Sequence, residues 1–123
     1  MNHPKCAAVL VVEDEADIRD AVVAFLEYQG FAVYEADNGQ VALDALKRIP
    51  QPALVLADLM MPVMDGPSLI AALREDDRFA TLPVVIVSAA SHVTEMEGYR
   101  RLKKPIDLDD LAHIVGELCS KRA

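Results

Sequence analysis

The sequence predicts a doubly wound α/β domain, with five parallel strands in one sheet and helices on both faces. Three observations predict it. Short, continuous apolar runs at Ala7–Val12, Ala53–Ala57 and Leu82–Val87 read as strands buried on both faces. The segments between them repeat their apolar residues at the helical period. Strand and helix alternate along the chain, and right-handed crossovers then place helices on both sides of a parallel sheet.

Each element has its own signal. Ala7–Val12 is β-branched and ends abruptly at Glu13-Asp14-Glu15. Ala16–Tyr28 carries Ile18, Val22, Phe25 and Leu26 on one helical stripe, and Gly30 is its stop. Phe31–Ala36 is a second strand, followed by the turn residues Asp37-Asn38-Gly39. Val41, Leu43, Ala45 and Leu46 mark a helix closed by Ile49-Pro50. Ala53–Ala57 ends at Asp58, and a loop rich in Met, Pro and Gly runs to Pro67. Ser68–Arg74 is a third helix and Leu82–Val87 a fourth strand ending at Ser88. A short helix is expected near residues 91–97. Arg100–Lys103 is a weaker strand before Lys104-Pro105. Leu108–Leu118 is the last helix, with Asp107 as its N-cap.

Bulk properties narrow the function classes. The 123 residues suit one domain, residues 1–123, and a hydrophobic fraction of 53% supports a real core. The net charge of −8 disfavours nucleic acid and anionic membrane as direct partners. A secretory signal and an apolar stretch long enough to span a bilayer are both missing from the sequence, so a cytoplasmic location is expected. Cys6 and Cys119 sit near opposite termini; a single disulfide is one reading, and two free thiols of a cytosolic protein are the expected one. His3, His92 and His113 match no zinc-ligand spacing.

The candidate chemistry lies at the strand ends. Glu13 and Asp14 follow the first strand, Asp58 the third, Ser88 the fourth and Lys104 the fifth. Open parallel sheets bind ligands at the carboxyl ends of their strands. Clustered carboxylates need positive charge among them, and a hard divalent cation supplies it. Lysine adds a mobile cation and serine a hydroxyl donor. Such a set suits an incoming phosphoryl group attacked by a carboxylate. The sequence has no nucleotide-cradling GxxxxGK[ST] motif.

Asp58-Leu59-Met60-Met61-Pro62-Val63-Met64-Asp65-Gly66, with the acidic pair after the first strand and Lys104-Pro105 before the last helix, resembles the receiver domains of two-component response regulators. The likeness covers nearly the whole chain. It implies a flavodoxin-like three-layer (βα)5 sandwich. It implies Asp58 as phosphoacceptor, a site for Mg2+ (alternatively Mn2+) formed by Glu13, Asp14, Asp58 and the backbone carbonyl of Met60, Lys104 as the cation beside Asp58, and Ser88 as a donor to the phosphoryl group. It implies a cis bond before Pro105. The implied partners are a histidine kinase or histidine phosphotransfer protein and a downstream protein, with the domain a monomer or a phosphorylation-dependent homodimer. Such a domain assists its own phosphorylation and dephosphorylation and is not a turnover enzyme in the usual sense.

Two departures from the family pattern concern output. Arg101 stands where the family has an inward-swinging aromatic residue, and burying arginine costs far more than burying a ring. Tyr99 replaces that ring only if the strand changes register. The span from Ser88 to Lys104 is also short by about one and a half to two helical turns, so the fourth helix is expected to be truncated or irregular and the output face non-standard. Met61 is expected to be exposed and Met64 partly packed. Gly66 is expected to serve a tight turn. Three alternatives remain: a receiver cut from a longer regulator with a DNA-binding or enzymatic output, a phosphorylation-inert docking module, and an aspartate-nucleophile phosphatase. Met60 occupies the position where that phosphatase needs an acid. Ser120-Lys121-Arg122-Ala123 does not read as a linker, so a stand-alone protein is expected.

Overall fold

The computed structural model describes residues 8–89 and 99–122. Five strands, β1 (Val9–Val12), β2 (Val33–Ala36), β3 (Leu54–Asp58), β4 (Val84–Ser88) and β5 (Arg100–Lys103), form one sheet. The helices are α1 (Ala16–Tyr28), α2 (Gly39–Leu46), α3 (Gly66–Arg74) and α4 (Leu108–Arg122). The strand order is β2-β1-β3-β4-β5, and every pairing is parallel. The expected short helix near residues 91–97 lies outside the described residues.

Strand alternation divides the core into two layers. Leu10, Val12, Val55, Ala57 and Ile86 face one side and pack with Ala42 and Leu46 of α2 and Leu69 and Leu73 of α3. Val9, Val11, Leu54, Leu56 and Val85 face the other and pack with Val22 and Leu26 of α1 and Leu111 and Val115 of α4. Each fully buried leucine contributes about 1.5–3 kcal/mol relative to an exposed one. The three central strands are buried throughout, which is why their sequences are unbroken apolar runs. The edge strands are more open, with two of four residues exposed in β2 and three of four in β5.

Local chemistry ends the helices. Gly30 has φ 98°; its N–H donates to the Glu27 carbonyl and that of Phe31 to the Leu26 carbonyl, closing α1 with a Schellman motif. Asn38 caps α2 by accepting from the Val41 N–H at 3.0 Å. Asp65 caps α3 by accepting from the Ser68 N–H at 2.9 Å, so α3 begins at Gly66, before the expected Ser68. Asp107 accepts from the backbone N–H groups of Asp109 and Asp110, as an N-cap does.

Three expectations are corrected. Met61 is buried, because the alternation of β3 continues past Asp58 and places Leu59 and Met61 in the layer with α2 and α3; Met60 is the exposed neighbour. Gly66 has no positive φ. It is required because a Cβ there would stand 2.8 Å from the Asp58 carbonyl oxygen and 3.0 Å from the Leu59 Cα. Cys119 is buried beside α1 and β1 residues and is disulfide-bonded, so it is not a free thiol; Cys6 lies outside the described residues.

Candidate functional site

The strand order reverses between β1 and β3, and their carboxyl ends open a crevice at that point. Glu13 follows β1 directly. Its backbone N–H donates to the Ala36 carbonyl at 3.0 Å, and its carboxylate accepts from the Glu15 N–H at 3.1 Å. Asp58 is the last residue of β3. The backbone beyond it is held by the Leu59 N–H, which donates to the Val87 carbonyl at 2.9 Å. Both acids are buried, whereas Asp14 is exposed. One carboxylate oxygen from each of Glu13, Asp14 and Asp58 lies within 4.8 Å of the others.

Lys104 is carried to this edge by β5. Its backbone N–H donates to the Ser88 carbonyl at 2.9 Å, and the Lys104–Pro105 bond is cis. The ammonium donates to Asp58 Oδ2 at 2.9 Å and stands 3.3 Å from Glu13 Oε1. Ser88 ends β4 with its Oγ buried and without a hydrogen-bond partner among the described residues. A cavity of about 230 Å³ touches Asp14, Asp58, Met60, Ser88 and Lys104. Asp14, Asp58, Ser88 and Lys104 thus border the cavity, Glu13 joins them through Lys104 and the other two acids, and Met60, 59% exposed, lies at the cavity as well.

Burial first, and then the nearby Asp58 charge, push the Glu13 carboxyl up to about 7 against the opposing Glu15 N–H and Lys104. Burial pulls the Lys104 ammonium down, but the hydrogen bond and charge of Asp58, aided by Glu13, outweigh it and raise its pKa. The site is short of positive charge. Three acids with oxygens within 4.8 Å of one another fit a hard divalent cation, and the Ser88 hydroxyl, unpartnered among the described residues, can donate to an anionic oxygen.

The neighbouring residues sort themselves clearly. Lys103 is exposed, whereas Lys104 points to Asp58, as expected for the lysine directly before Pro105. Arg101 is exposed and pairs in register with Ile86. β5 runs regularly against β4, so Tyr99 is not carried to position 101. Tyr99 instead packs on the α2–α3 layer, and its hydroxyl accepts from Arg74 Nε at 3.3 Å. Val63, in the acceptor loop, has φ 70° and is 83% exposed, a strained geometry for a β-branched residue. Sequence reasoning missed Arg19 of α1, whose guanidinium donates to the Glu13 carbonyl at 2.7 Å. A lone arginine on a helix surface gives no sequence signal of such a bond.

Comparison with known proteins places this geometry. The family model for the response regulator receiver domain matches residues 9–116. Response regulator Rre1 of Synechocystis sp. (strain ATCC 27184 / PCC 6803 / Kazusa) is 41% identical over 122 residues, which are 94% of this chain and 52% of that protein. The chain thus spans about half the length of that relative. The crystal structure of a sensor protein from Polaromonas sp. JS666 matches with a TM-score of 0.84 at 33% identity, over 95% of this chain and 98% of that one. The signal receiver domain of a signal transduction histidine kinase from Syntrophus aciditrophicus matches with a TM-score of 0.85 at 29% identity, over 94% of this chain and 91% of that one.

Proposed function

The chain belongs to the response regulator receiver domain family, and from that premise we propose that it is a phosphorylation-dependent signalling switch with Asp58 as the acceptor. The observation that carries the reading is the position of Asp58: at a strand end, beside the Lys104 ammonium at 2.9 Å and within 4.8 Å of two further acids. Asp58 attacks phosphorus with a carboxylate oxygen. The bond from phosphorus to the donor nitrogen breaks, and that nitrogen takes up a proton from solvent. The donor is a phosphohistidine on a histidine kinase or a histidine phosphotransfer protein.

The other residues serve the charge on the transferred group. Glu13, Asp14, Asp58 and the Met60 carbonyl would hold Mg2+ or Mn2+, which when bound would supply positive charge to the transferred group. Lys104 moves from the Asp58 carboxylate to a phosphoryl oxygen, and the Ser88 hydroxyl donates to another. Hydrolysis of the acyl phosphate on the same domain resets the switch.

Output proceeds through protein contacts, from a monomer or a phosphorylation-dependent homodimer. Arg101 at the usual aromatic position supports a non-standard output face. The coverage of Rre1 favours a second reading, in which residues 1–123 are the receiver portion of a longer regulator. The intact set of Glu13, Asp14, Asp58 and Lys104 weighs against an inert docking module.

Incubation with Mg2+ and a small phosphoryl donor tests the acceptor. One acid-stable, alkali-labile phosphate per chain, absent in Asp58→Asn, is the expected result. Continuous turnover of phosphate monoesters would contradict it.

A further inference from the structure

We infer that Arg19 is a positioning residue for the acidic pair, and the inference rests on the metal-binding reading above. Its guanidinium makes two contacts in different directions. Nε donates to Glu35 Oε1 on β2 at 3.0 Å, and NH1 donates to the backbone carbonyl of Glu13 at 2.7 Å. The Arg19 side chain is 18% exposed and that of Glu35 is 49% exposed.

The Glu13 carbonyl belongs to the planar peptide unit joining Glu13 to Asp14. A rotation of that plane re-aims both carboxylates. The N–H of Glu13 is already held by the Ala36 carbonyl at 3.0 Å. Arg19 holds the other side of the residue, and Glu35 holds Arg19. The turn that carries two proposed metal ligands is thereby anchored to the edge strand as well as to its own helix. The planar fork of arginine suits this task, because its separate N–H groups reach a carbonyl and a carboxylate together. The Glu35 carboxylate also faces the guanidinium charge, so Arg19 acts on the acid pair by fixing its direction.

Groups that orient metal ligands typically change metal affinity by about 10–100-fold when removed. Mg2+ titrations followed by backbone amide shifts test the assignment in the metal-free full chain, with urea midpoints recorded alongside. Arg19→Ala is expected to weaken Mg2+ binding by about tenfold and to shift the Asp14 amide before metal is added. Arg19→Lys, which satisfies one acceptor at a time, is expected to fall between Ala and the wild type. Glu35→Gln changes an exposed side chain and is expected to weaken binding by a smaller factor.

A lower urea midpoint with unchanged Mg2+ affinity in Arg19→Ala would overturn the inference, since it would make the contact merely structural. If Arg19→Ala does not fold, wild-type affinity in Glu35→Gln overturns it. A wild-type protein without a saturable Mg2+ response overturns the metal reading and this inference together.

Discussion

The Lys104 ammonium lies 2.9 Å from Asp58 Oδ2 and 3.3 Å from Glu13 Oε1, so one cation is shared between two buried carboxylates. The sharing explains how both acids occupy one strand-end crevice. It also identifies the group that must move when a phosphoryl anion arrives. Lys104→Met removes the cation and leaves the acids facing one another. It is expected to lower the stability of the metal-free protein by about 1.5–3 kcal/mol. Added Mg2+ is expected to narrow that deficit by binding the folded state. Urea midpoints with and without Mg2+ measure both effects.

Ser88→Ala separates chemistry from folding. The Ser88 hydroxyl is buried without a hydrogen-bond partner among the described residues, so its loss is expected to leave stability unchanged or slightly higher. Removal of a donor to the transferred group is expected to slow adduct formation on the order of tenfold or more. Unchanged kinetics in the folded variant would remove Ser88 from the phosphoryl site.

Gly66→Ala tests the space beneath the acceptor. Alanine favours helices over glycine by about 1 kcal/mol. Here its Cβ meets backbone atoms of Asp58 and Leu59 at 2.8–3.0 Å, and neither can swing aside as a side chain can. A net loss of about 1–3 kcal/mol is expected. The Asp58 and Leu59 amide shifts are expected to change with it.

Much of this arrangement is legible in the sequence, for physical reasons. β1, β3 and β4 lie inside the sheet, and burial on both faces leaves unbroken apolar runs. The site residues follow from that placement, since each run ends at a polar group. The edge strands give weaker signals because half or more of their residues are exposed. Met61 escaped because a loop rich in Met and Pro looks solvated, although strand alternation carries it into the core. The bonding of Cys119 escaped because separation along the chain says nothing about separation in space. Arg19 escaped because its partner is a backbone carbonyl, which no side-chain pattern announces.

Glu13 gives a pH dependence of definite sign. Its carboxyl stands at about 7 in the folded protein, against an ordinary 4.5. The folded state therefore keeps a proton there that the unfolded chain has already released. The stability from this group is complete below 4.5 and is lost as pH rises through about 7. The metal-free wild type is expected to lose stability relative to Glu13→Gln between about pH 5 and about pH 8. Urea midpoints of the two proteins across that range provide the check, and a constant difference would contradict the assignment.

The central claim is that Asp58 takes the phosphoryl group, and mapping the modified residue tests it most directly. The protein is phosphorylated with a small phosphoryl donor and Mg2+, reduced with borohydride to convert the acyl phosphate to an alcohol, digested and sequenced by mass spectrometry. The expected result is homoserine at position 58, present only when the donor and Mg2+ were both added. Modification at Glu13 or Asp14 with an unaltered Asp58 would contradict it.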